Sequence, residues 1–398
     1  MPNQRIDPLA YLGEQINEFR ANGTYQRLRE LQGPCEPVSH YDGKEVINLA
    51  SNNYLGLANH PKLKEAAIAA IRKFGAGTGA VRTISGTLDM HMELERRIAA
   101  FKHVEACVVF QSGFTANAGT VSAVLGKEDH IISDELNHAS IIDGCRLSRA
   151  KIHVFPHADV NVAEERLAAL EGVPGRKLLI TDGVFSMDGD IGPLPALVEL
   201  AEKYGAVMMV DDAHSSGVLG RNGRGTVDHF GLHGRVDIQV GTLSKAVGVL
   251  GGYVCGTKDF IDYLCHRARP FLFSTSHPPA VTAACLAAFD ILESEPERIE
   301  ALWANTRYFK EELAKLGFDT GRSETPITPI MVGEAAAAHA FSKALFDEGL
   351  FATGIGFPTV PQSKARIRTI VTATHTREHL DQALDILARV AKRQAILA

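Results

Sequence analysis

What the chain has little of narrows its function first. Its six cysteines, at 35, 107, 145, 255, 265 and 285, form no C-x-x-C pair and no cluster with histidine at zinc-ligand spacing, so no metal site is expected. They read as reduced thiols of a cytoplasmic protein. Positive charge is not in surplus either. Lys and Arg number 41 against 47 Asp and Glu, a net charge of -6, which gives no general attraction for nucleic acid or anionic membranes. Any phosphate must therefore be held by local geometry. No uninterrupted apolar stretch reaches membrane-span length, and Met1–Asp7 carries no apolar signal region, so neither secretion nor membrane insertion is expected. Internal repeats and low-complexity tracts are missing as well.

What is present is ordinary globular material: 398 residues, 45% hydrophobic and 22% charged, enough for a sizeable core in two or three domains. Within Pro8 to about Leu31, Leu9, Leu12, Ile16 and Phe19 have helical spacing that ends near Gly23, and Glu45–Ala50 reads as a short strand. A helix over Pro61–Phe74 leads into the glycine-rich Gly75–Thr87, a loop rather than a dinucleotide signature because no strand precedes it. From Ala106 to Asp211 short β-branched runs alternate with helices, the pattern of a parallel sheet covered on both faces. Two helices, Ala280–Glu293 and Pro296–Leu316, lead out of it to a final segment of strands and helices. This predicts an α/β fold with a large, mostly parallel sheet domain at 56–290, an N-terminal helix or arm and small-domain segment at 1–55, and a smaller α/β domain at 291–398.

In such a sheet ligands bind at the carboxyl ends of the strands, so the residues that end each strand are the candidates. The run Val236–Val240 stops in the small-residue turn Gly241-Thr242-Leu243-Ser244, which carries Lys245. Partly desolvated among apolar neighbours, such a lysine would have a lowered pKa and could form a Schiff base with an aldehyde cofactor. Most single lysines at loops do nothing of the kind, so the neighbouring turns decide. Ala206–Val210 ends in Asp211, a carboxylate that is costly at a buried strand end unless it meets a cation, and a protonated pyridine nitrogen would satisfy it. The turn Gln111–Asn117 opens a helix whose free N–H groups suit a phosphate. His138 follows another strand and could stack on a flat ring, although a lone loop histidine is more often structural. In Asp182–Asp190 the carboxylates Asp188 and Asp190 lack the further ligands of a calcium loop and read as turn formers, leaving Ser186 to donate a hydrogen bond.

Taken together, Ser112-Gly113-Phe114, Asn137-His138-Ala139-Ser140, Thr181–Gly189, Val210–His214, Gly241–Lys245 and Ala365-Arg366-Ile367-Arg368 resemble the α-oxoamine synthases, pyridoxal 5'-phosphate (PLP) enzymes of fold type I. The resemblance covers nearly the whole chain. It implies that Lys245 binds the cofactor covalently, that Asp211 pairs with the pyridine nitrogen, that His138 stacks on the ring, and that His214 and Ser186 bond the ring oxygen. Gly113, Phe114, Thr242 and Ser244 would hold the phosphate. Thr275 and Ser276 match a pair that reaches the phosphate of the neighbouring subunit, which implies a homodimer with shared sites. Arg368 would bind the amino-acid carboxylate, with Asn52 and His138 beside it.

The implied reaction is C-acyl transfer from an acyl-CoA to an amino acid, glycine or alanine. Gly79–Thr87, Asn137–Gly144 and Phe357–Pro361 look most like glycine C-acetyltransferase, which condenses glycine with acetyl-CoA. The alternative is 8-amino-7-oxononanoate synthase, using alanine and pimeloyl-CoA with loss of the carboxylate, or a broad-specificity relative. A non-catalytic subunit of the same fold would be expected to lack the lysine, whereas Lys245, Asp211 and His138 are all here.

Overall fold

The computed structural model describes residues 7–357 and 359–397; the Met1–Ile6 part of the N-terminal stretch and Pro358 of the Phe357–Pro361 segment lie outside them. A seven-stranded sheet runs in the spatial order Ala106–Phe110, Gly252–Gly256, Ile238–Thr242, Val207–Asp211, Lys177–Asp182, His130–Asp134, Lys151–Phe155. The five strands from Ile238–Thr242 to Lys151–Phe155 are mutually parallel. Gly252–Gly256, absent from the sequence expectation, runs antiparallel to both its neighbours. The connection Leu243–Gly251 is too short to hold a crossover helix, so the chain can only turn back beside the strand it has left. Helices cover both faces, and two buried clusters, one around Val121, Ile141 and Met209 and one around Leu167, Leu197 and Val210, fill the space beneath them.

A third and larger cluster joins the sheet to the terminal segments. The helix Pro279–Ser294 buries Ala284, Cys285, Ala288 and Phe289 and packs on Pro61–Phe74 and Asp89–Lys102, with Phe289 edge-on to Phe101 at 5.3 Å. The N-terminal and C-terminal parts pair directly: Leu350 and Phe351 lie parallel to Ile47 and Asn48, and Ile370 N–H donates to the Leu49 carbonyl at 2.8 Å. On this pairing we propose, in keeping with the sequence expectation, that residues 1–55 contribute to the smaller domain with 291–398. The last sheet is antiparallel, Ile327–Gly333, Ala365–Ile370, Thr353–Ile355, and its central strand carries Arg366 and Arg368. The N-terminal helix, Ala10–Ala21, ends close to Gly23 as its apolar spacing suggested, and buries none of its residues within the chain.

Candidate active site

Five turns converge at the carboxyl ends of the large sheet. After Phe110, Ser112 caps the helix Gly113–Val124, its Oγ accepting from Thr115 N at 3.1 Å, while its carbonyl takes Ala116 N at 3.0 Å. Among the described residues the N–H groups of Gly113 and Phe114 have no acceptor, and they open a helix end that favours an anion. The return strand lies hard against this turn. A Cβ on Gly252 would stand 2.4 Å from Ser112 O and 2.5 Å from Gly113 N, so only glycine permits the approach. The hydroxyls of Thr242 and Ser244, two residues expected at the phosphate, both donate to the Gly251 carbonyl, at 2.8 and 3.3 Å. These bonds shape the turn that presents Lys245.

Lys245 is half-buried, and the removal of water from around its amine brings its pKa down to about 8, against the opposing pull of Asp211 and with help from the Arg368 charge. Asp211 ends the buried strand Val207–Asp211, accepting from Ala213 N at 2.8 Å and from Asn117 Nδ2 at 2.6 Å. His138 caps the next helix and leaves its ring open to the cleft. The dense surroundings still hold its pKa below the ordinary value by desolvation, opposed by Asp211 and aided by Lys245. His214 is buried, its Nδ1 2.8 Å from the Tyr54 hydroxyl, and burial followed by the charges of Lys245 and Arg368 keeps it neutral, with a pKa well below normal. A flat ring with a basic nitrogen, an aldehyde and a phosphate finds a partner for each part in this set: Asp211, Lys245 and the Gly113–Phe114 amides.

At the opposite wall Arg368 Nε donates to Ser186 O at 2.6 Å and Nη2 to Asn52 Oδ1 at 3.2 Å, so Arg368 and Asn52, both expected at the carboxylate, are in contact. Ser186, expected at the ring oxygen, meets Arg368 through its backbone carbonyl, and His138 makes no hydrogen bond to this arginine among the described residues. Arg366, two residues earlier on the same strand, donates to Met187 O at 3.1 Å and to Asp188 at 2.5 Å. Asp190 meets His157, whose Nδ1 also faces Asp134, so these acids are ion-pair anchors as well as turn residues. Thr275 and Ser276 make no hydrogen bond to Lys245 among the described residues: Thr275 O accepts from Gln111 Nε2 at 2.8 Å, and Ser276 Oγ is 2.6 Å from Thr78 Oγ1.

Four residues at the site went unassigned in the sequence. Asn117 and Ser140 bond each other at 2.9 Å and tie Asp211 to His138. Asp182 accepts from His138 N at 2.8 Å, and its burial, reinforced by the Asp211 charge, raises its pKa well above that of an ordinary carboxyl. Tyr54 holds His214. The available signal was position, since Asn117, Ser140 and Asp182 all follow or end strands at the same sheet edge.

The model of the family described as aminotransferase class I and II matches residues 44–387. The chain is 62% identical over 387 residues to the 8-amino-7-oxononanoate synthase of Symbiobacterium thermophilum, covering 97% of this chain and 99% of that protein. A serine palmitoyltransferase of S. paucimobilis with bound PLP superposes with a TM-score of 0.93 at 32% identity, covering 98% of this chain and 100% of that one. The 8-amino-7-oxononanoate synthase of Francisella tularensis gives 0.73 at 30%, covering 88% and 99%. These relatives favour the alternative activity over glycine C-acetyltransferase. The cofactor is PLP, and the chain belongs to the class I and II aminotransferase family, in its α-oxoamine synthase branch of PLP-dependent acyltransferases.

Proposed function

We propose that this enzyme is an 8-amino-7-oxononanoate synthase, condensing alanine with pimeloyl-CoA and releasing coenzyme A and carbon dioxide. The observation that carries the reading is the 62% identity to an enzyme of that name over almost the full length of both chains. It replaces the glycine C-acetyltransferase expectation, which none of the reported relatives supports.

When bound, PLP supplies an aldehyde for the substrate amine and a ring that takes up the charge left on the α-carbon. The chain's own residues do the rest. Lys245, with a pKa of about 8, is partly unprotonated near neutrality and so can hold the cofactor and then accept the α-proton. Asp211, fixed by Asn117 and Ala213, would present its carboxylate to the ring nitrogen. Gly113 and Phe114 amides would take the phosphate. Arg368 has its Nε and Nη2 committed, and its Nη1 has no protein partner among the described residues, which leaves that end of the guanidinium for the substrate carboxylate.

A homodimer with shared sites belongs to the same proposal. It is supported by the N-terminal helix, which exposes Leu9, Tyr11, Leu12 and Phe19 and buries nothing in its own chain, and by the exposed Ile84 and Phe273 near Thr275 and Ser276. A cytoplasmic location is likewise proposed, in keeping with six free cysteines; no described helix is long and apolar enough to cross a membrane.

The test is thiol release with alanine or glycine crossed against pimeloyl- and acetyl-CoA. Alanine with pimeloyl-CoA should be the preferred pair, and Lys245→Ala should abolish turnover. A preference for glycine with acetyl-CoA would overturn the reading.

A further inference from the structure

We propose that Ser140 and Asn117 are positioning residues that lock His138 as the Nε2–H tautomer and aim its one remaining donor into the cleft beside Lys245. The inference rests on the reading of Lys245 and Asp211 as the reacting pair.

The proton positions follow from counting donors and acceptors. Asn117 Nδ2 lies 2.6 Å from Asp211 Oδ2 and 2.9 Å from Ser140 Oγ. A flipped amide would set its oxygen against the carboxylate, so the nitrogen faces Asp211 and its two hydrogens go to Asp211 and to Ser140. Ser140 Oγ thus accepts from Asn117, and its own hydrogen must find an acceptor. The one at hand is His138 Nδ1, 2.8 Å away. The same Nδ1 accepts the Ser140 backbone N–H at 3.2 Å, a helix-start donor with no other partner. Were Nδ1 protonated, both of these donors would lose their acceptor at a side chain that is 1% exposed. The hydrogen on the neutral ring therefore sits on Nε2, and the doubly protonated ring is disfavoured for the same reason. The titratable groups around His138 are Asp211, Asp182, Lys245 and His214, drawn from three strand ends.

The chain Asp211, Asn117, Ser140, His138 thus links the carboxylate expected under the ring nitrogen to the imidazole expected over the ring face. Each contact fixes the next, so ring orientation and proton location are set before any ligand arrives.

Long-range proton–nitrogen correlation spectra of histidine-labelled protein, with and without PLP, read the tautomer directly, His138 being assigned by its loss in His138→Asn. In the wild-type protein near neutral pH, Nδ1 should resonate as an unprotonated and Nε2 as a protonated nitrogen. Ser140→Ala should mix the two tautomers and shift the acid limb of the pH–rate profile upward. It should also lower kcat by about tenfold (about 1.4 kcal/mol) with the KM for acyl-CoA unchanged, and Ser140→Thr should restore all three. A wild-type His138 protonated on Nδ1 would overturn the proposal even if no variant folds, as would wild-type nitrogen shifts and pH profile in Ser140→Ala. Wild-type protein without activity on alanine and pimeloyl-CoA would refute the proposed function, while the nitrogen shifts would still decide the tautomer.

Discussion

Removing the amine of Lys102 should loosen the active-site turn from behind, at a cost that the structure allows to be bounded. Lys102 and Asp212 form a fully buried ion pair at 2.6 Å, with side chains 0% exposed, and Asp212 directly follows Asp211. Lys102→Met keeps the apolar stem and deletes only the charge, leaving Asp212 without a cation in a water-free site. Breaking a buried pair on one side typically costs about 3–5 kcal/mol. Here Asp212 still accepts from Thr226 N at 3.1 Å and from the hydroxyls of Ser215 and Thr226, which places the cost near the lower end, about 3 kcal/mol. Against a total stability of about 5–15 kcal/mol, that is a large fraction. Trp303, the one tryptophan in the chain, donates to Val218 O at 2.9 Å in the loop that follows Asp212, so its fluorescence during urea unfolding reports on this region. Asp212→Asn should be destabilising for the converse reason, and the double variant should cost less than the sum by about 1–3 kcal/mol. A Lys102→Met protein within about 1 kcal/mol of wild type would refute the reasoning.

Two further perturbations test other parts of the site. His157 bridges Asp134 and Asp190, and although burial opposes the charge, the two carboxylates raise its pKa to about 10. Because the folded value exceeds the unfolded one, the stabilisation, on the order of a few kcal/mol, is fully present below about pH 6.5 and is lost as pH rises through about 10. The stability difference between wild type and His157→Gln should therefore shrink across that window, and a difference independent of pH would count against the ion pair. Gly252→Ala would press a methyl group within 2.4 Å of Ser112 O, so cofactor affinity, followed by PLP absorbance, should fall by at least tenfold while the sheet stays folded; unchanged affinity would contradict the tight seat beneath the Gly113 turn.

The element pattern was largely legible because parallel strands buried on both faces write themselves as short apolar runs, as in Lys177–Asp182 and Val207–Asp211. The candidate site was legible for a related reason: a parallel sheet gathers its strand ends at one edge, so Gly113, His138, Asp211 and Lys245 could be listed before their distances were known. Gly252–Gly256 was not legible, since an apolar run after a glycine turn carries no mark of its direction.

By itself the sequence determined the α/β order and the residues at the strand ends, and through the motifs at those ends it put forward Lys245 and Asp211 as the candidate reacting groups. It did not determine which groups distant in the chain bond one another. The tertiary structure alone assigned Thr242 and Ser244 to the Gly251 carbonyl, joined Lys102 to Asp212, and set Asn117 between Asp211 and Ser140. The reason is that a hydrogen bond depends on ångström-scale distance and direction between groups far apart in the chain, whereas periodicity and motif report only what is near in sequence.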